Sequence, residues 1–200
     1  MSTQTSMLQP GLGEPVQAAQ QIFRHALNAL AEPGLVQVFS DVPALDRLAP
    51  ASYGLCLCLL DSDTPLWLSP ALDTPVLRAN LAFHCACPMV AAPEAAAFAL
   101  LTAAEATALP AFDPGTDRDP DQSCTVILQL EQLDGGPPTT WQGPGIPDTR
   151  SLRLPLADAF WTQRAAHGFP KGLDFFLTAG DSVLGLPRST RVMRALQEVN

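Results

Sequence analysis

Proline and glycine punctuate this chain at a density that forbids long regular elements. It contains 20 prolines and 13 glycines in 200 residues, against about 12% for the two together in an average protein. Proline ends or kinks a helix interior, and glycine weakens helices and strands by its backbone entropy. The chain must therefore fold as many short elements joined by tight turns, which excludes a helical bundle or a coiled coil. Its apolar fraction of 47% still suffices for a sizeable core, and its length corresponds to roughly one domain.

Charge narrows the function classes. Only 16% of residues are charged, and the net charge is −9, so a basic coat for nucleic acid is excluded. The imbalance is uneven: residues 1–149 carry 4 basic and 16 acidic side chains, residues 150–200 carry 7 and 4. Arg188, Arg191 and Arg194 fall close together near the C-terminus. Such an end reads as an anion site, a partner surface or a solvated tail. No membrane span is expected, because the longest apolar stretch, residues 53–60, is far short of the ~20 residues a bilayer requires. Residues 1–14 lack basic groups and an apolar block, so no signal peptide is expected; the cytoplasm is the expected compartment.

Cysteines 56, 58, 85, 87 and 124 are odd in number, and two lie inside an apolar run, unlike a secreted disulfide framework. The two Cys-x-Cys spacings are too tight for a shared tetrahedral zinc site. Buried, reduced thiols and no metal are expected, a metal-binding or thiol protein being the minor alternative.

Apolar spacing marks the elements. Residues 15–32 read as a helix, with Val16, Ala19, Phe23, Ala26, Leu27 and Leu30 on one stripe; residues 35–39 follow as a strand. Residues 50–60 fit a helical stripe or a buried strand, and the helix is preferred because Pro50 suits a first turn. A short strand at 65–69 precedes a helix at 73–81 capped by Asp73 or Thr74. Further strands are expected at 83–85, 97–101, 124–130, 139–143 and 151–154. A second amphipathic helix spans 156–167. Residues 174–179 and 182–186 form a hairpin across Gly180-Asp181, and the segment from Pro187 onward reads as a short terminal helix. Interleaved helices and strands make an α/β or α+β domain with a mixed sheet. Residues 15–192 form the domain, 1–14 a flexible N-terminus and 193–200 a tail.

Few residues suggest chemistry on their own. Pro187-Arg-Ser-Thr-Arg191 supplies guanidinium and hydroxyl groups suited to phosphate-like oxygens, or else a cap flanked by exposed arginines. The Gly143-Pro-Gly145 loop would let a ligand approach the backbone, but it lacks a nucleotide fingerprint and is equally a turn. His84 lies among apolar residues, as a satisfied core histidine does. Lys171 is the only lysine, so Schiff-base chemistry would have to use it. No Gly-x-Ser-x-Gly nucleophile motif occurs.

An ordered set of phrases nevertheless resembles the PhnH family, the H subunit of the bacterial carbon–phosphorus lyase core complex. They are Val16-Gln-Ala-Ala-Gln20 with Phe23-Arg24, Ala31-Glu-Pro-Gly34, Asp63-Thr-Pro-Leu-Trp-Leu-Ser69, and Phe83-His84 with Pro88. Gly143-Pro-Gly-Ile146, Phe169-Pro-Lys-Gly-Leu-Asp174 and Leu186-Pro-Arg-Ser-Thr190 complete the set. The resemblance implies a three-layer α/β sandwich around a mixed sheet, similar to PLP-dependent transferases but without PLP or another cofactor. It implies a homodimer that joins subunits G, I and J. With G, I and L it takes part in forming α-D-ribose 1-methylphosphonate 5-triphosphate from ATP and an alkylphosphonate. The resemblance implies a required subunit, non-catalytic or accessory, with no catalytic role of its own established. Lys171 stands where the motif implies an apolar residue, which argues against an essential amine and against a stand-alone PLP-type enzyme. Resemblance and charge together single out Arg188, Ser189 and Thr190, with His84 and Gly145, as residues facing an anionic nucleotide or phosphonate.

Overall fold

Three of the four α-helices among the described residues begin where a proline is tolerated. In the computed structural model, which describes residues 7–194, α1 (Pro15–Ala31), α2 (Pro50–Leu59) and α3 (Pro75–Cys85) each open on proline, whose missing N–H would have no partner in a first turn. Thr74 caps α3 by accepting the Leu77 N–H at 3.1 Å. Thr74→Ala should cost about 1 kcal/mol, measured by denaturant unfolding. The fourth helix, α4 (Asp158–Arg164), has two turns.

The strands are β1 (Gln37–Val38), β2 (Leu66–Leu68), β3 (Phe98–Thr102), β4 (Thr125–Gln129), β5 (Pro138–Gln142), β6 (Arg150–Arg153), β7 (Asp174–Ala179), β8 (Ser182–Leu186) and β9 (Arg191–Arg194). Six of them make a mixed sheet in the order β1-β8-β7-β4-β3-β2. β2, β3, β4 and β7 run parallel, β8 is antiparallel to β7, and β1 pairs antiparallel with β8. The other three form an antiparallel sheet ordered β6-β5-β9.

Alternation along the central strands splits the interior in two. Leu100, Ile127 and Phe176 lie side by side in the register and share a core with Leu77, Leu81 and the buried face of α1 and α2. Ala99, Val126, Phe175 and Leu186 occupy the next row and point to the opposite core, closed by Trp141 of β5 and by Phe160 and Trp161 of α4. The large sheet is therefore covered by helices on one face and by the small sheet with α4 on the other.

The buried side of α1 differs from the expected stripe. Ile22, Ala26 and Ala29 are buried, whereas Val16, Phe23 and Leu27 are 72%, 46% and 52% exposed. Small residues win the inner face because α1 lies almost on the backbone of β8: a Cβ at Gly185 would overlap the Ala29 carbonyl. Leu35, Val36 and Val38 in the segment after the helix are exposed too among the described residues.

Further expectations are corrected. Residues 83–85 are the last turn of α3, not a strand; Leu81 and Cys85 are buried at helical spacing, and Ala86 ends the helix with φ 55°. The segment after Pro187 does not enter a terminal helix over its described part, since residues 191–194 pair with β5 instead. The helix at 156–167 is also shorter, ending at Arg164. Of the expected flexible N-terminus, residues 1–6 lie outside the described residues, and residues 7–9 are tied to Asn80 through Met7 and Gln9. Of the expected tail, Met193 and Arg194 belong to β9 and 195–200 lie outside the described residues.

Candidate functional site: an arginine-lined cavity

The pairing of β9 with β5 sets Arg191 opposite Gln142 and Arg194 opposite Thr139. A turn closed by the Thr190 N–H on the Pro187 carbonyl at 3.0 Å leads into β9. Between this turn, β9, the end of α4 and the Gly143-Pro144 loop opens a cavity of about 880 Å³. Arg164, Arg188, Arg191, Arg194 and His167 line it, together with Trp161, Phe169, Ser189 and Thr190, and among the described residues no Asp or Glu does.

The four arginines are held differently. Arg188 is engaged inward: its Nη2 reaches Asp174 at 2.5 Å, its Nε spans both carboxylate oxygens at 3.1 and 3.2 Å, and its Nη1 donates to the Pro120 carbonyl. The same carboxylate accepts the Arg188 backbone N–H at 2.7 Å. Arg194 grips α4 through Asp158 at 3.1 Å and Thr162 at 3.3 Å. Arg164 donates through Nη2 to the carbonyls of Pro187 at 2.8 Å and Thr190 at 2.9 Å. It has no carboxylate within ion-pair distance among the described residues, and its Nε is buried without an acceptor. Burial pushes its pKa down to about 10, with Asp174 pulling weakly the other way, so it stays protonated at neutral pH. Arg191 is exposed and makes no ion pair among the described residues.

Arg188, Ser189 and Thr190 thus come together in one wall. Gly145 does not line the cavity, although Gly143 and Pro144 do. At φ 80° it faces α1, where a Cβ would overlap the Ala31 carbonyl, so its role is close packing. His84 lies elsewhere, on α3, with Nε2 donating to the Gln9 carbonyl at 2.9 Å; it borders a separate, shallower depression with Leu12, Val16 and Leu57. Arg164 and His167 were not singled out from sequence. Their one signal was a pair of basic residues at the exit of a predicted helix.

Four of the five thiols are pushed up by their surroundings, and Cys87 is lowered by its hydrogen bond with Cys85. All five cysteines are free, and four are buried. Burial pushes Cys56 and Cys58 upward and Cys124 to about 12. A hydrogen bond with Cys87 raises Cys85, with burial adding to it. Among the described residues no group of three or more His, Cys, Asp or Glu is placed to hold a metal ion. No described helix is long and apolar enough to cross a membrane. Lys171 pairs with Asp117 at 3.2 Å on the surface.

With this geometry in hand, comparison with known proteins is informative. Residues 10–193 match the family model described as bacterial phosphonate metabolism protein (PhnH). The chain is 35% identical over 201 residues to the α-D-ribose 1-methylphosphonate 5-triphosphate synthase subunit PhnH of Rhizobium meliloti, covering 97% of this chain and 100% of that protein. It is 33% identical over 181 residues to a putative C-P lyase subunit protein, HtxG, of Stutzerimonas stutzeri, covering 86% of this chain and 85% of that one.

Proposed function

The chain belongs to the PhnH family of bacterial phosphonate metabolism proteins, and on that footing we propose that it works as a non-catalytic subunit of the carbon–phosphorus lyase assembly. In this reading it acts with subunits G, I and L to form α-D-ribose 1-methylphosphonate 5-triphosphate from ATP and an alkylphosphonate, and it assembles as a homodimer and with G, I and J. The observation that carries the reading is collinearity: a relative named as a subunit of that synthase aligns over its whole length. The α/β layering, with a mixed sheet covered on both faces, supports a three-layer scaffold similar to PLP-dependent transferases, with residues 15–192 as its working domain.

An uncovered apolar surface supports assembly. Val16, Phe23, Leu27, Leu35, Val36 and Val38 stand exposed along α1 and the segment after it, and contiguous apolar patches on soluble proteins mark interaction surfaces. The cavity whose wall carries Arg188, Ser189 and Thr190 is the ligand-facing part of the subunit.

The test is co-expression with subunits G, I and J, followed by native mass spectrometry with and without ATP. Co-purification at fixed stoichiometry is expected. Leu27→Glu should lose a partner while keeping the wild-type melting temperature, because its side chain is half exposed and surface changes typically stay within about 0.5 kcal/mol. A chain that stays apart from all three subunits would overturn the reading.

A further inference from the structure

We propose that the cavity between α4 and β9 binds a tetrahedral oxyanion of the phosphate or phosphonate class through Arg164 and Arg191, while Arg188 and Arg194 hold the wall around it. The proposal deepens the subunit reading and rests on it for the setting in which such an anion is met.

Four arginines line the cavity without an acidic side chain among the described residues. Asp174 satisfies Arg188 and Asp158 satisfies Arg194, which leaves Arg164 and Arg191 without an ion pair among the described residues, Asp174 acting on Arg164 only from beyond ion-pair distance. A partly buried guanidinium that touches only carbonyls has lost water without gaining an opposite charge in contact, an arrangement that proteins otherwise avoid. The Arg164 Nε and the Thr190 hydroxyl are both buried without a partner, and such orphans call for an explanation. An oxyanion seated here would supply the missing charge. The planar guanidinium fork suits phosphate-type oxygens.

Two features bear on the size of the ligand. A volume of about 880 Å³ lies within the usual range for small-molecule sites and exceeds what one phosphate fills. Trp161 and the 73% exposed Phe169 add aromatic surface for the remainder of a phosphate ester. On a chain of net charge −9, a local cluster of cations also focuses the field toward anions.

The experiment is calorimetric titration of the full chain with inorganic phosphate, methylphosphonate and ATP, with acetate as the control, at fixed ionic strength. Saturable one-to-one binding of the phosphorus oxyanions is expected, with Arg164→Gln and Arg191→Gln each weakening it ~10-fold or more. Arg191 is exposed and without an ion pair among the described residues, so its variant should melt like wild type and keeps the test decisive if Arg164→Gln disturbs the Pro187 turn. ATP binding far tighter than phosphate would identify a nucleotide as the source of the oxyanion; equal affinities would identify a single phosphate or phosphonate. Either result supports the site. Absence of saturable binding to all three, acetate binding as well as phosphate, or equal affinity in both variants would overturn it. So would variants that bind phosphate normally but no longer co-purify with subunits G, I and J, because the arginines would then be docking on protein. Failure of the subunit reading has a different signature, wild-type chain that does not co-purify, and leaves the titration untouched.

Discussion

Gly185→Ala is expected to lower stability by about 3 kcal/mol, read as a fall in melting temperature of roughly 6–12 °C for a chain of this size. Gly185 lies in β8 opposite Phe176, on the face that α1 covers. A Cβ there would run into the Ala29 carbonyl and come within 2.7 Å of the Leu30 nitrogen. Both are backbone atoms inside a helix, so neither can rotate away. α1 would have to lift, opening the packing of Ile22 and Ala26, which are 3% and 2% exposed. Gly168→Ala is the matched control: a Cβ there meets nothing within 4 Å, and its effect should stay within about 0.5 kcal/mol. Equal melting of the two variants would show that α1 does not seat on β8 this closely.

Asp174→Ala should cost about 3–5 kcal/mol in denaturant unfolding, the range for stranding one member of a buried ion pair. The side chains of Arg188 and Asp174 are only 14% and 22% exposed, so solvent screens the pair little. The carboxylate also anchors the Arg188 backbone N–H, so its loss loosens the turn that carries Ser189 and Thr190 into the cavity. The double variant Asp174→Ala with Arg188→Met should recover a good part of the loss, because it removes the uncompensated charge along with its partner. A single variant that loses less than 1 kcal/mol, or a double variant worse than the sum of the singles, would refute this account.

Local signals carried most elements and few of their meetings. Pro15, Pro50 and Pro75 announced three helices, and Gly180-Asp181 announced the β7–β8 hairpin, because caps and tight turns are settled by a handful of neighbouring residues. The parallel neighbours β2, β3 and β4 were legible as strands, but their order was not, since crossover pairing leaves no short-range trace. β9 pairs with β5 across about fifty residues, and its Arg-rich, weakly alternating sequence read as a helix or tail. The inner face of α1 was misjudged for a related reason. Size-blind periodicity placed Phe23 and Leu27 beside Ala26, whereas the approach to Gly185 demanded Ala29 with Ala26. At the cavity, the Arg188–Arg194 cluster was visible as a charge asymmetry. That Arg188 would be consumed by Asp174 and that Arg164 would stand without a counter-ion depended on which carboxylates the fold brings near.

The ends of the six-stranded sheet limit how anything can attach to it. Its outermost strands are β1, with two residues, and β2, with three. The free side of β2 is already occupied: Leu66 donates to the Pro88 carbonyl at 2.8 Å and accepts the Val90 N–H at 2.9 Å. Neither margin offers a run of open amides and carbonyls long enough to template another chain, the hazard that edge strands usually carry. The sheet thus resists growing by strand addition and the aggregation that follows from it. A protein that joins this one at the six-stranded sheet must recognise side-chain shape, and the exposed apolar side chains of α1 are where such shape is on display.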